Sequence, residues 1–402
     1  MNARANAWSW TKGGFVLALF VLGAIALVAG GLGLAPVAAL GGLGALAFAA
    51  VERRLARPGP SAMIGGLLLG WAALSFAWSP FDRPDQLLRT VLGAPLYLGF
   101  ALLCMSLDGP GRRLARAGVL LCVALAGTAF AVELVTAGAI TGSHRTGAPD
   151  MDTQVWRNLG HGLSAWVLLL PAALIVLPRR DLVSSLLAVG LLVVALACAL
   201  GFGITSNLLG LVAAALGAAA AWRWPRGAAR GVGVLAAFAI LAAPAYGLIA
   251  RAVPHGLRAH IPDSWELRLE AWSYTAERIA ERPLFGWGFD ASRTMADTID
   301  FRGAQVAALP LHPHNAGLHL WLETGLVGAA LAAAFVLLIA RAVARAPGLT
   351  RAQAIAAAAA GAGYLAMAQV SYGVWQEWWI AAVAWAAAAA ALVGPATTDA
   401  RS

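Results

Sequence analysis

The chain predicts an all-α polytopic membrane protein of about twelve transmembrane helices with one long loop outside the bilayer. Three observations lead there. Of 402 residues, 60% are apolar and 12% charged, with mean hydropathy +0.75; soluble domains carry about 25% charged residues. The apolar residues gather in runs of the ~20 residues needed to cross about 30 Å of hydrocarbon. One stretch, 251–316, interrupts those runs at length.

In order, the predicted spans lie near 13–30, 33–51, 61–78, 88–106, 117–139, 160–178, 182–203, 206–222, 231–250, 317–340, 353–372 and 378–394, a single transmembrane domain over 1–402. The first lacks a small-residue cleavage site in a polar region, so it reads as a span and not as a removed signal peptide. Glycines make tight joints at 31–32 and 201–205. Cys104, Cys122 and Cys198 fall inside spans without CxxC spacing and read as small buried hydrophobes. Glu133 is the clearest charge in a span and is expected near its outer end.

Basic residues orient the chain. Arg53, Arg54, Arg57, Arg112, Arg113, Arg116, Arg179, Arg180, Arg223, Arg226, Arg230, Arg341, Arg345 and Arg351 share one side with both termini. The short loops opposite carry Arg83, Arg89, Arg145 and Arg157. Excess positive charge marks the cytoplasmic face, so both termini are expected to be cytoplasmic. The net charge of +9 then reflects topology and anionic lipid of the bilayer, and no nucleic acid partner is expected.

The 251–316 loop is extracytoplasmic on this topology and holds His255, His260, His312 and His314. A loop this long is usually functional or disordered, and its tryptophans argue for order. Within it, 263–282 reads as a helix, with Asp263 and Glu266 as a capping-box-like start and Pro283 as its stop. Trp265, Leu269, Trp272, Ala276 and Ile279 recur at helical spacing, a stripe suited to the membrane interface. At about 100° per residue, Arg268 lies roughly 60° from the stripe's centre and can reach inward, whereas Arg278 lies about 140° away and reads as solvated. Asp297 and Asp300 are separated and read as loop residues without partners.

His312-Pro313-His314-Asn315 stands where the tenth span begins. His314, Leu318, Trp321, Gly325 and Gly328 follow 4,3,4,3 spacing, which predicts two glycines beneath His314 on one helical face. Pro313 suits a first helical turn. The helix dipole would keep the imidazole neutral, and a neutral imidazole at an aqueous pocket can act as a general base. His312, further from that face, is expected to be dispensable. Glu323 points nearly the opposite way and is a poor partner for His314. No clustered carboxylates are legible at the extracytoplasmic mouth, so no metal and no cofactor are expected.

The run from His312 to Ala329 resembles the final periplasmic motif of the O-antigen ligase and polysaccharide polymerase superfamily, through His314-Asn315, Glu323, Gly325 and Gly328. Arg268-x-x-x-Trp272 and Arg282-Pro283-Leu284-Phe285-Gly286-Trp287-Gly288 are similar to its upstream segment. Trp78-Ser79-Pro80 and Val374-Trp375-Gln376-Glu377-Trp378-Trp379 are similar to further family features. The resemblance implies a GT-C-like fold in the bacterial inner membrane. It also implies metal-independent transfer of an undecaprenyl-diphosphate-linked glycan at a periplasmic site, to another glycan (polymerase, the preferred reading) or to lipid A–core (ligase). It assigns His314 as base, Arg268 to the donor diphosphate, and Asn315 to substrate or the helix start. One departure is plain: where the family often carries Ser-Arg at the start of the eighth span, this chain reads Thr205-Ser206-Asn207. Asn207 can hydrogen bond to substrate but cannot neutralise it. Arg145, Arg157 and Arg302 are candidates for the second cation, Arg157 preferred. The rival class is a transporter or flippase for the same lipid-linked sugar, which would place ionisable groups at the bilayer midplane, often with internal repeats.

Overall fold

A computed structural model describes residues 3–53, 58–143, 151–178, 181–258 and 260–394. Arg54, Arg57, Arg145, Arg179 and Arg180, used above for orientation or as site candidates, lie outside the described residues. The helices run α1 Ala3–Val28, α2 Leu34–Glu52, α3 Pro60–Ser75, α4 Pro84–Met105, α5 Gly109–Val135, α6 Ala139–Ser143, α7 Met151–Val176, α8 Leu182–Gly201, α9 Thr205–Arg223, α10 Pro225–Leu241, α11 Pro244–Ala252, α12 His255–Arg258, α13 Asp263–Glu281, α14 Ala316–Arg345, α15 Arg351–Ala368 and α16 Glu377–Val393. One antiparallel hairpin, β1 Thr298–Phe301 with β2 Ala304–Ala307, pairs Thr298 with Ala307 and Phe301 with Ala304.

This is a polytopic membrane protein. Among the described residues, nine helices are long and apolar enough to cross a membrane (α1 to α5, α7 to α9 and α14). The α10–α11 pair passes the same test together, and α16 is an apolar helix of 17 residues. Local chemistry sets the ends. Proline opens α3, α4, α10 and α11, where its missing N–H has no helical partner to lose. Asp181 caps α8 by accepting from Ser184 N–H, and Thr350 with Gln353 forms a reciprocal capping box on α15. Leu182, Val183, Leu186, Val189 and Val193 of α8 stay exposed, an apolar outer surface that suits lipid.

The bundle is built around α7, whose apolar window is 72% buried and which packs against α1, α5, α8, α9, α15 and α16. Trp166 and Trp385 anchor that core, their indole N–H groups donating to Val123 O (2.9 Å) and Leu34 O (3.1 Å). Phe20, Phe100 and Trp385 meet with ring centroids 4.9–5.8 Å apart. A second apolar cluster joins α3, α10 and α14 through Ala72, Ile240, Leu320 and Ala329.

Two expectations change here. The predicted 231–250 span is broken: α10 and α11 meet at 71°. Pro244 has no N–H to give the preceding turn and clashes with it, so the chain bends at Ala242–Ala243. The 263–282 helix is present as α13, but Asp263 does not cap it. Pro262 occupies the cap position without a side-chain bond, and Asp263 and Glu266 instead pair with Arg302 at 2.7 Å each. The buried face of α13 carries Ala271, Thr275 and Ile279 and packs against α11 and α14. Protein, more than lipid, covers it.

Candidate active site

The motif residues converge because α14 is interrupted. Gly325 sits at φ 63°, ψ −164° inside an otherwise helical run, a backbone open to glycine and costly for other residues. Breaking a helix orphans N–H and C=O groups that must find partners. The 283–288 loop supplies them. Leu326 N–H donates to Pro283 O (2.8 Å) and Val327 N–H to Leu284 O (3.3 Å). Trp287 N–H donates to Leu322 O and Gly288 N–H to Glu323 O, both at 2.8 Å. Trp71 Nε1–H closes the account on Thr324 O (2.9 Å). A Cβ on Gly325 would sit 2.3 Å from Leu284 O, and one on Gly286 (φ 71°) 2.4 Å from the Glu323 carbonyl carbon. The two glycine motifs are therefore two halves of one interlock. Trp78 and Ser79 brace it through Gly286 O (3.3 Å) and Phe289 O (2.8 Å).

The interlock leaves His314 just outside α14. Asn315 is the helix N-cap: its Oδ1 accepts from Leu318 N–H (2.9 Å) and its Nδ2 donates to Gln369 O (3.0 Å). His314 precedes it in the left-handed region, φ 53°. It is therefore not stacked above Gly325 on a helical face, and Pro313 is not in the first turn, as the spacing had suggested. The backbone turns out of the helix at the cap. His314 Nδ1 lies 2.6 Å from Ser371 O. A carbonyl only accepts, so Nδ1 carries the proton and Nε2 the lone pair. Nε2 has no hydrogen-bond partner among the described residues.

Burial holds His314 down to about 4, and the Arg268 guanidinium adds to the effect against the Ser371 carbonyl. The ring is neutral as expected, with burial rather than the helix dipole as the main cause. His312 is not remote. Its Nδ1 accepts the His314 N–H (3.2 Å), the two rings lie 4.4 Å apart, and its own pKa falls well below the ordinary value through burial.

Arg268 reaches the same segment from α13. Its Nε donates to Val370 O (2.9 Å) and its Nη1 to Ser264 O (2.6 Å), with Trp265 stacked 5.2 Å from the guanidinium carbon. Nη2 forms no hydrogen bond among the described residues. Residues 369–371, just after α15, thus receive Asn315, Arg268 and His314 on three successive carbonyls.

Behind them lies a buried polar cluster of Asp290, His319 and Glu323, whose ligand-type atoms fall within 4.8 Å of one another. The expectation of no clustered carboxylates is corrected: the members come from 290 and 323, far apart in sequence, and only the interlock joins them. The Glu323 carboxylate is engaged on both oxygens. Glu323 accepts from Asp290 N–H (2.7 Å), Ser292 N–H (3.1 Å) and Trp375 Nε1–H (2.5 Å) and meets His319 Nε2 at 3.0 Å. Asp290 pairs with Arg293 (2.8 Å), while burial and Glu323 raise its pKa. Glu323 makes no contact with His314, as its helical phase predicted.

Residues 160–333 match the O-antigen ligase family. That stretch is less than half of the chain, and the likeness to O-antigen ligases rests on it. The chain is similar to a protein named "Putative polysaccharide ligase" from Rickettsia bellii, 37% identical over 123 residues, which is 29% of each chain. Similarly named proteins of Rickettsia prowazekii and Rickettsia typhi are 34% and 33% identical over 123 residues, 29% of this chain and 30% of theirs. The matched stretch is thus less than a third of those relatives' own length. No solved structure matches the chain.

The remaining expected residues separate. Asn207 is fully buried; its amide donates to Gly160 O (3.0 Å) and accepts from Ser164, which Tyr372 also meets at 2.6 Å. Its side chain braces α7 against α9, one hydroxyl away from the 371–372 segment. Arg157 is exposed at the start of α7, one turn before His161. His161 stacks on Trp378 and meets the edge of Tyr372, both at 5.3 Å, and Arg157 and His314 both lie within electrostatic range of it. Arg302 is turned to Asp263 and Glu266 on α13. Arg278 is not simply solvated: it pairs with Glu281 (3.0 Å) and Asp297 (3.5 Å). Asp297 also accepts from Tyr274, and Asp300 accepts from Gly303 N–H (3.1 Å), so neither lacks partners. Sequence reasoning missed Gln369, Ser371, Tyr372, His161 and His319. The one available signal was Tyr372 and His161 as polar rings near predicted span ends.

Proposed function

We propose that the chain is a metal-independent glycosyltransferase of the bacterial inner membrane, acting at the periplasmic face on an undecaprenyl-diphosphate-linked glycan. The observation that carries this reading is the pairing of His314 and Arg268 on adjacent carbonyls, a base whose Nε2 lone pair has no hydrogen-bond partner among the described residues, beside a fixed cation. In the step proposed, the acceptor hydroxyl oxygen attacks the anomeric carbon and the carbon–oxygen bond to the diphosphate breaks. His314 Nε2 takes the hydroxyl proton, and undecaprenyl diphosphate leaves with the electron pair. Arg268 stabilises the departing charge. Asn315 fixes the geometry of His314, and Arg157 is the second cation of the mouth. Asn207 and Arg302 serve by holding α9 and α13 rather than by touching substrate.

The reading includes twelve spans in a GT-C-like arrangement: the nine long helices, the bent α10–α11 pair, α15 and α16. The 251–316 segment forms the periplasmic part. Diphosphate is a good leaving group once neutralised, and arginine presents a permanent charge to it, so no cofactor is required.

Purified protein supplied with lipid-linked oligosaccharide in excess EDTA tests this directly. Transfer that persists, and that Arg268→Ala removes, supports the reading. Activity lost in EDTA and restored by Mg²⁺ or Mn²⁺ overturns its metal independence. The acceptor distinguishes the two family activities: extension of a second lipid-linked repeat marks a polymerase, and transfer to lipid A–core marks a ligase.

A further inference from the structure

The imidazole of His314 is oriented by a backbone carbonyl, and a carbonyl can be placed only by the segment that carries it. That segment is gripped from inside the fold. His319, 2% exposed on α14, accepts the Val374 N–H at Nδ1 (3.1 Å). With Nδ1 committed as acceptor, its proton sits on Nε2 and points at Glu323 Oε1 (3.0 Å). Trp375 donates to the same carboxylate (2.5 Å). Between these anchors and Ser371 lies Gly373, packed on the rings of His312 and His319 so closely that a Cβ there would meet them at 3.0 and 3.3 Å. His312 and His319 themselves stack, 5.8 Å apart and 19° from parallel.

We propose that His319 is a positioning residue for His314. Held by Glu323, it fixes the 371–374 backbone through Val374 and so sets which nitrogen of His314 carries the proton. The buried pair acts on the base across four residues of backbone, without touching it or the substrate.

The inference rests on reading His314 as the base, and the test separates the two. Full-length protein in nanodiscs is compared as His319→Asn, His319→Gln and His319→Ala. Asparagine puts Oδ1 where Nδ1 stood and can still accept from Val374. Glutamine puts an amide nitrogen near Nε2 and can still donate to Glu323. A route through Val374 keeps kcat of the Asn variant within about threefold of the parent, the lower end of what one hydrogen bond contributes. The Gln and Ala variants lose about tenfold, short of the ~10²–10⁴-fold of a lost general base, with donor KM unchanged in all three. A plain structural clamp on Glu323 gives the opposite order, so Gln equal to or better than Asn overturns the proposal. If the Ala variant does not accumulate, the Asn–Gln contrast decides alone. NMR of nitrogen-labelled histidine supplies a readout free of turnover: His314 stays Nδ1-protonated in the parent and Asn variant and becomes a tautomer mixture in Gln and Ala. An unchanged His314 signature across the series also overturns it. His314→Ala, assayed alongside, reports on the base reading by itself.

Discussion

At the scale of single residues, the site depends on which nitrogen of His314 is bare. Ser371 O accepts the hydrogen bond from Nδ1–H at 2.6 Å, and burial keeps the second nitrogen unprotonated, with the pKa down to about 4. A histidine free in the unfolded chain titrates near ~6.5. Between those values the unfolded chain binds the proton that the folded one refuses. This residue's contribution to stability is therefore full above about 6.5 and is lost as pH falls toward 4. The acid limb of kcat is expected below pH 5 for the same reason, and a kcat that halves near 6.5 would show a solvated ring in place of a buried one. His314→Ala is expected to lose ~10²–10⁴-fold in turnover while still binding donor. Arg268→Lys is expected to behave almost as Arg268→Ala in the transfer assay. An ammonium cannot span Val370 O and Ser264 O and still present a planar fork; near-parental turnover in the Lys variant would reduce Arg268 to a point charge.

At the scale of elements, the decisive event is the break in α14. A helix of this composition would run straight through 325 were it not for a φ of 63° there and a loop ready to pair the freed groups. Gly325→Ala and Gly286→Ala each force a Cβ to within 2.3–2.4 Å of backbone that has no flexible end to move. Both variants should lose ~1–3 kcal/mol from the strained backbone alone, more from the clash, seen as a lower midpoint of thermal unfolding in detergent. Gly66→Ala on α3, where a Cβ meets nothing within 4 Å, is the control and should be silent. A Gly325→Ala protein as stable as the parent would mean that the interlock is not required for the fold.

At the scale of the whole molecule, the bundle carries exposed apolar side chains outside and a gathered polar cluster at one end. The three cysteines are buried and free, as their place in apolar runs predicted, which makes the chain suited to accessibility labelling. With the expected topology, a cysteine introduced at exposed Asp300 should react in intact cells with a membrane-impermeant maleimide. One at exposed Arg341 should react only after lysis. The reverse pattern would invert the topology and put the His314 site in the cytoplasm.

The class of the molecule and the positions of most helices are written in local composition, since apolar run length and flanking charge are properties of neighbouring residues. So is the identity of His314, Asn315 and Arg268 as residues of interest, because their spacing in sequence matches a family pattern. What the linear order could not carry is anything that joins distant backbone. Helical periodicity placed Gly325 beneath His314, but the glycine is a break held open by residues some forty positions earlier. Asp263 looked like a cap until Arg302 claimed it. The Asp290–His319–Glu323 cluster and the 369–371 carbonyls that hold His314 and Arg268 exist only where separate helices meet. Hydrogen bonds to main chain leave no mark on side-chain identity at the accepting residue, so Ser371 and Val370 are silent in sequence and decisive in the fold.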